Sequence, residues 1–309
     1  MIYKLSEYDI QQYLQYCDVS KNLNTHTLKA YQIDLSQFYQ FMNNHNFNIT
    51  KDSLQAYINH LHTTYQKTKT VKRKIAAVKA FFAYLIYQDK IDDNPMSKIR
   101  TSFREPKLLP RTISTSDLNS IFNKLYDEIS KCKTEYQIKV CTRNAAVIEL
   151  LFSTGIRVSE LCHLKDKEIN LNEQYIRIFG KGAKERIIQI GNPEVLRILL
   201  TYRSLFKDQI ESCGYFFINK LGNPLSEQSV RLLLSQYEKE LHLPQHITPH
   251  MFRHTFATKL LEEDVDIRYI QHILGHSSIT TTQIYTHIHS NKQKEILRLK
   301  NPRNFIHQI

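Results

Sequence analysis

The 309-residue sequence is poor in cysteine and has no long hydrophobic run. Its five cysteines are odd in number and form no CxxC pair, which excludes a disulfide framework and a zinc ribbon, so we expect reduced packing residues. No apolar run approaches the ~20 residues of a membrane-spanning helix, and the first ten residues carry charges where a signal peptide requires an apolar stretch. We therefore expect a cytoplasmic protein that does not bind membranes.

Glycine is scarce and unevenly placed, because all seven glycines lie between Gly155 and Gly275. The first half of the chain thus lacks the residue that tight turns and bulges usually require, which predicts an all-helical N-terminal region. Apolar residues recur there at helical spacing in four stretches. The four predicted helices begin after Ser6, after Asn24, at Thr50 or Asp52, and at about Thr70, the last one running to Tyr87.

Two prolines mark the predicted domain boundary, since Pro106 and Pro110 break helices and favour an extended connection. The sequence therefore predicts a helical domain at residues 1–104, a linker at 105–111 and a second domain at 112–309. In the second domain, Gly155 is the expected cap of a helix over 143–153, and another helix is expected to begin at Thr248 and Pro249. Residues 175–179 and 186–190 are strand-like and joined by a glycine-bearing hairpin. The predicted fold class is mainly α with one small antiparallel sheet.

The charge is strongly positive, with 42 Lys and Arg against 30 Asp and Glu, a formal net charge of +12. Residues 1–104 carry 14 basic against 8 acidic side chains, so half of the excess lies in the smaller domain. A basic surface attracts polyanions, which makes nucleic acid the first candidate partner. A solvated helix face is the alternative, although no acidic residue at i,i+4 offsets the cluster. The basic residues at the start of the fourth predicted helix are Lys67, Lys69, Lys72, Arg73, Lys74 and Lys79.

Four short patterns in the second domain carry the candidate chemistry, and each is weak when taken alone. They are Thr154-Gly-Ile-Arg157-Val-Ser-Glu-Leu161, Gly180-Lys181-Gly182, His250-Met-Phe-Arg253-His254, and Leu274-Gly275-His276 followed nine residues later by Tyr285. Together, in this order and at these spacings, they closely resemble the tyrosine site-specific recombinases, the phage integrase family that includes the Xer-type recombinases. The resemblance extends over nearly the whole chain, with a four-helix core-binding domain followed by a catalytic domain.

The resemblance implies a catalytic set of Arg157, Lys181, His250, Arg253 and His276, with Tyr285 as the nucleophile. Phosphoryl transfer requires mainly positioning and positive charge, and a guanidinium can bind two phosphate oxygens at once. We assign His250 as the base that takes the tyrosine proton and Lys181 as the acid that protonates the leaving 5′ oxygen. His276 would donate a hydrogen bond to a phosphate oxygen, or serve a structural role. Some relatives have tryptophan in its place, and this chain contains none.

The implied reaction forms a 3′-phosphotyrosine intermediate and requires no cofactor, ATP or metal ion. Lys184 and Arg186, which follow Lys181 along the hairpin, complete the predicted DNA-binding residues. The implied partners are double-stranded DNA core sites and three further recombinase subunits, either copies of this chain or a paralogous partner. Strand exchange would pass through a Holliday junction and serve chromosome dimer resolution or mobile-element integration and excision.

Several alternatives remain beside this interpretation. Four histidines from His272 to His289 could suggest zinc, but no accompanying ligand pattern supports it, and the P-loop pattern is incomplete. A DNA-binding regulator would share the charge, and a type IB topoisomerase would share the tyrosine chemistry. The start of the first helix near Ser6 leaves no room for an additional arm-site-binding domain. Apolar residues near the C-terminus predict either an exchange helix that packs on a neighbouring subunit or docking on the chain's own domain.

Overall fold

A computed structural model describes residues 5–97, 99, 111–179, 185–275 and 289–306, with the backbone alone described for 289–293. The chain divides into two compact units, Met1–Leu108 and Leu109–Ile309. Both are mainly helical and one small antiparallel sheet lies in the second unit, which confirms the predicted fold class. Within the described ranges, no helix combines the length and apolarity that crossing a membrane requires. Residues 105–110 of the predicted linker lie outside the described residues.

The first unit consists of four helices whose starts are set by side-chain caps. Ser6, Asn24 and Thr50 each accept a hydrogen bond from the backbone N–H three residues later, so three predicted helix starts are confirmed. The fourth helix begins two residues before its predicted start. The helices are α1 (Glu7–Val19), α2 (Thr25–Asn44), α3 (Lys51–Thr64) and α4 (Thr68–Tyr87). The core between them combines aliphatic residues with aromatic ones, including Tyr13, Phe38, Phe81 and Phe82, all fully buried.

The second unit is built around one long buried helix. Its helices are α5 (Thr115–Lys131), α6 (Glu135–Thr154), α7 (Val158–Cys162), α8 (Pro193–Leu205), α9 (Lys207–Cys213), α10 (Glu227–Glu240), α11 (Pro249–Glu262), α12 (Ile267–Leu274) and α13 (His289–Leu299). Every residue of α6 from Ala145 to Thr154 is buried, and the helix packs against α5, α8 and α11. It begins eight residues before the predicted start at Arg143. Its first turns are exposed and therefore lack the apolar periodicity from which a helix is predicted.

The sheet has three antiparallel strands in the order β1 (Ile169–Asn170), β2 (Tyr175–Phe179) and β3 (Glu185–Gln189). The first strand has only two residues, too few for a recognisable alternation, and the sequence did not predict it. Ile176 lies opposite Ile188 and Ile178 lies opposite Arg186, so these four residues form the buried face of the sheet. The buried face of β3 therefore includes an arginine.

The C-terminal segment packs against its own unit in this chain. Leu297 and Ile306 are buried in the same core as α6, and Asn301 donates a hydrogen bond to the Ser153 carbonyl at 2.9 Å. This arrangement corresponds to the second of the two alternatives drawn from the sequence. Exchange with a neighbouring subunit stays a prediction for the assembled state, and it would require these residues to leave a packed interior.

A buried ion pair fixes the same segment to the middle of α6. The Nε of Arg303 donates to both carboxylate oxygens of Glu149, at 2.9 and 2.8 Å, and the two side chains are 1% and 0% exposed. Tyr126 donates a further hydrogen bond to Glu149 at 2.6 Å. An isolated charge in this position would be costly, so each partner depends on the other.

We expect Arg303→Met to lower the free energy of unfolding by about 3–5 kcal/mol, because it leaves a buried carboxylate unpaired. Adding Glu149→Gln should recover part of this loss, since the double variant buries no charge. Denaturant titration followed by far-UV circular dichroism measures both effects. Lys131→Met, which breaks a pair with Asp127 on the surface, is the matched control and should stay within about 0.5 kcal/mol. A double variant less stable than Arg303→Met would contradict the charge argument.

Candidate active site and DNA-binding surface

Arg157, the predicted phosphate-binding arginine of the first sequence pattern, is positioned by the end of α6. Gly155 terminates that helix in the left-handed conformation, with φ 61°, and Arg157 is the N-cap residue of α7 two residues later. A Cβ atom at residue 155 would lie 2.6 Å from a ring carbon of Phe256 on α11. Both the backbone angle and this close approach therefore require glycine, which lets α6 end directly beside α11.

Arg157 and Arg253 converge on the C-terminal end of α12. The Nη1 of Arg253 donates to the Gly155 carbonyl at 2.8 Å, and its Nη2 donates to the Leu274 carbonyl at 2.5 Å. The Nη2 of Arg157 donates to the Gly275 carbonyl at 3.2 Å. The last carbonyls of a helix have no intrahelical donor and carry partial negative charge, so they attract cations. The helix end thereby brings together two predicted phosphate-binding residues.

Burial and positive neighbours change the protonation equilibrium of Arg253, which is 4% exposed. Desolvation, followed by the charge of Arg157, lowers the pKa of Arg253 to about 10. The group stays protonated at neutral pH. A guanidinium has five N–H bonds, and the two carbonyls above use two of them, so among the described residues three have no acceptor and remain for a phosphate.

Glu160 is the negative charge at this site and accepts four hydrogen bonds. Its Oε1 accepts from the Nη1 atoms of Arg157 and Arg186, at 2.8 and 3.0 Å. Its Oε2 accepts from the backbone N–H of Arg157 at 2.9 Å and from the Nη2 of Arg186 at 2.7 Å. Burial acts to raise the pKa of Glu160, but the hydrogen bonds and charges of Arg186 and then Arg157 outweigh it and lower that pKa. The carboxylate is therefore ionised at neutral pH.

The other predicted catalytic residues are placed only in part. His250 is exposed in the first turn of α11, and its ring centroid lies 6.3 Å from that of His254. Burial, followed by the nearby His250, lowers the pKa of His254. His250 and Arg253 lie three residues apart on α11 and so share one helix face, as predicted, with the first exposed and the second buried. The remaining predictions, Lys181, Lys184, His276 and Tyr285, lie outside the described residues.

The prediction that Arg186 contacts DNA is not supported, because its side chain is only 8% exposed. Alternation along β3 turns it to the buried face of the sheet, and Glu160 and the Ile273 carbonyl occupy its donors. We therefore remove Arg186 from the DNA-binding set. Arg186 is linked to the candidate active site through Glu160, which accepts hydrogen bonds from both Arg186 and Arg157.

The predicted DNA-binding residues of the first unit separate into an outer and an inner group. Lys67, Lys69 and Arg73 are exposed, and Lys72 and Lys79 are half-buried. Lys69, Lys72, Arg73 and Lys79 lie within about 120° of one another around the axis of α4. We call these four residues the α4 basic face.

Lys74 lies about 140° around the axis of α4 from Lys69 and points into the core. It is buried, it pairs with Asp34 of α2 at 2.9 Å, and its ammonium lies 4.8 Å from the Tyr65 ring centroid. The prediction that Lys74 contacts DNA is therefore wrong. Asp34, which also pairs with Arg73, supplies the acidic partner that was not found at helical spacing within α4 itself.

Comparison with known families and structures identifies the family of this chain. Residues 117–292 match the phage integrase family, and residues 10–89 match the N-terminal SAM-like domain of phage integrases. The chain belongs to the phage integrase family. It is a tyrosine recombinase, an enzyme that cleaves DNA strands at specific sites and rejoins them, as the resemblance of the four patterns predicted.

Named relatives cover almost the entire chain. A protein named tyrosine recombinase from Agathobacter rectalis is 51% identical over 299 residues, covering 96% of this chain and 97% of the relative. A protein named tyrosine recombinase XerD from Halalkalibacterium halodurans is 33% identical over 304 residues, covering 96% and 98%. The present chain is thus a Xer-like recombinase.

Solved structures of low sequence identity share the fold of this recombinase. One is XerH site-specific recombinase bound to palindromic difH substrate in a post-cleavage complex, with a TM-score of 0.69, 22% identity, and coverage of 94% of this chain and 84% of that one. Another is a lambda integrase dimer bound to a COC′ core site, with a TM-score of 0.67, 17% identity, and coverage of 97% and 79%.

Glu160 was not assigned a function from the sequence, although it stands within the first pattern. The sequence feature that could have identified it is its position three residues after Arg157, the N-cap residue of α7, because a glutamate at this spacing is typical of a capping box. Here the glutamate accepts from both the backbone N–H and the guanidinium of Arg157. A local helix cap thus also fixes the orientation of a candidate catalytic arginine.

The lowered pKa of Glu160 predicts how the stability of the recombinase depends on pH. The ionised carboxylate stabilises the fold above its unfolded pKa of about 4.3, and this contribution is lost as pH falls through the lower folded-state pKa. We expect Glu160→Gln to cost about 1–3 kcal/mol at pH 7 and much less near pH 3. Denaturant titrations across this range measure the difference. Glu185→Gln, at a half-exposed carboxylate, is the control and should follow the wild-type curve. A constant cost at all pH values would contradict the prediction.

Proposed function

We propose that Tyr285 attacks the scissile phosphodiester while Arg157 and Arg253 bind its non-bridging oxygens. The observation that carries this proposal is the convergence of both arginines on the C-terminal end of α12. In the sequence, Tyr285 lies only ten residues after Gly275, the residue that ends α12. Guanidinium groups fixed before the reaction stabilise the charge that spreads over the phosphate in the transition state.

In the proposed cleavage step, a bond forms between the Tyr285 oxygen and phosphorus as the bond from phosphorus to the 5′ oxygen breaks. The phenolic proton passes to His250, which is exposed and therefore accessible to substrate. Lys181 donates a proton to the leaving 5′ oxygen, and His276 donates a hydrogen bond to a non-bridging oxygen. The products are a 3′-phosphotyrosine and a free 5′-hydroxyl, and attack by another strand's 5′-hydroxyl reverses the step. Arginine and lysine supply the required charge, so the proposed mechanism uses no cofactor.

The proposed substrate is a pair of double-stranded DNA core sites bound by four recombinase subunits. A lambda integrase tetramer bound to a Holliday junction shares this fold, with a TM-score of 0.65 at 18% identity, which supports strand exchange through such a junction. Four copies of this chain, or this chain with a paralogous recombinase, would form the assembly. Its place of action would be the cytoplasm, where a bacterial-type recombinase meets DNA. The biological outcome would be chromosome dimer resolution or mobile-element integration and excision.

We expect Tyr285→Phe to abolish the covalent protein–DNA adduct while half-site binding persists, because most affinity comes from phosphate contacts elsewhere. A nicked suicide substrate traps the adduct, and a denaturing gel separates it from free DNA. Tyr136→Phe makes the same change at an exposed tyrosine of the same unit and should leave adduct formation unchanged. An adduct formed by Tyr285→Phe would assign the nucleophile to another tyrosine.

We expect the α4 basic face to contribute to the salt dependence of DNA binding. Replacing Lys69, Lys72 and Lys79 with alanine should flatten the slope of log affinity against log salt by up to ~3 if all three contact phosphates. Gel-shift titrations at several salt concentrations give the slope.

The matched control for this slope removes Lys131, Lys133 and Lys139, which lie at the junction of α5 and α6. Two of these lysines already pair with carboxylates, Asp127 at 2.7 Å and Glu135 at 2.8 Å. The control should leave the slope nearly unchanged. Equal slopes for the two triple variants would mean that the α4 basic face is only solvated.

A further inference from the structure

Arg186 is a buried charge that the proposed chemistry does not use directly. It stands on β3 opposite Ile178 and occupies the buried face of the sheet with Ile176 and Ile188. A charged side chain seldom occupies such a position unless it is paired and hydrogen-bonded. Its contacts therefore indicate what it does.

All three nitrogens of the Arg186 guanidinium are engaged. The Nε donates to the Ile273 carbonyl at 3.1 Å, and the two Nη atoms donate to the two oxygens of Glu160 at 3.0 and 2.7 Å. The Nη1 would also lie 2.9 Å from a Cβ atom at residue 275, so Gly275 leaves just enough room for it. Two parallel hydrogen bonds to a carboxylate fix both distance and plane. Arg186 thus joins β3, α7 and the end of α12.

The carboxylate that Arg186 holds is shared with Arg157. Each oxygen of Glu160 accepts one hydrogen bond from Arg186 and one from Arg157. With both arginines present, two positive charges face one negative charge, and one positive charge remains for a phosphate. Without Arg186, Glu160 would neutralise Arg157 and compete with the phosphate for it.

We propose that Arg186 is a positioning residue that neutralises Glu160 and thereby keeps Arg157 available, in charge and orientation, for the scissile phosphate. This inference rests on the proposed function of Arg157. Arg186 acts behind the reacting groups, through Glu160, and touches neither the phosphate nor the DNA grooves. Its removal should therefore slow cleavage and leave DNA affinity unchanged.

The test compares single-turnover cleavage of the suicide substrate at saturating DNA with half-site affinity measured by gel shift. Arg186→Met should slow cleavage at least ~10-fold with half-site Kd within about twofold, because an interaction made mainly in the transition state is lost. The double variant Arg186→Met/Glu160→Gln restores the wild-type net charge at this site. It should cleave at least ~3-fold faster than Arg186→Met alone, a coupling that a double-mutant cycle measures. Arg203→Met breaks a half-buried pair with Asp166 and should match the wild type in both assays.

Each outcome decides the proposal. The proposal is overturned if the double variant cleaves at the same rate as Arg186→Met or more slowly. It is also overturned if Arg186→Met binds DNA more weakly but cleaves normally at saturating DNA, because Arg186 would then be a DNA contact. If Arg186→Met does not fold, Arg186→Lys and Arg186→Gln replace it, since both keep a polar head and only lysine keeps the charge. Faster cleavage by the lysine variant supports the proposal, and equal rates or unfolding of both overturn it. Absence of an adduct with the wild-type protein would instead refute the proposed function.

Discussion

The candidate active site of this recombinase depends on the attraction between guanidinium groups and the C-terminal end of one helix. The carbonyls of Ile273, Leu274 and Gly275 accept hydrogen bonds from Arg186, Arg253 and Arg157, respectively. Three like charges repel one another and come together only where acceptors offset them. The end of α12 supplies such acceptors because its last carbonyls have no partner within the helix. The same contacts connect β3, α7, α11 and α12. The end of α12 therefore both gathers the three arginines and joins the elements that carry them.

Helix α6 links this site to the rest of the second unit. Its C-terminal end at Gly155 leads directly to Arg157, and its middle carries Glu149, which binds Arg303 of the C-terminal segment. The segment that precedes α13 contains Tyr285. The chain is held before this segment by the hydrogen bond from Arg157 to the Gly275 carbonyl and after it by the buried Leu297. A change at the C-terminal segment would therefore reach the helix that positions a candidate catalytic arginine.

Opposite charges are used differently in the two units. In the first unit, Asp34 pairs with the buried Lys74 and with the exposed Arg73, both on α4. In the second unit, Glu160 holds two arginines beside the candidate phosphate site. In both places a single carboxylate holds two basic side chains in fixed positions. Buried pairs of this kind contribute little net stability, and their value lies in fixing geometry.

The sequence by itself determined the fold class, the family and the starts of α1, α2, α3 and α11. Capping residues such as Ser6, Asn24 and Thr50 act through local hydrogen bonds, and the four patterns have fixed spacing along the chain, so no tertiary information was needed. Only the tertiary structure decided which charged side chains are buried. Lys74 and Arg186 were expected to contact DNA because charge predicts exposure, but their partners Asp34 and Glu160 come from other elements. Local sequence patterns also could not decide that the first turns of α6 are exposed, or that residues 294–306 pack on their own unit. Both depend on contacts between residues far apart in sequence.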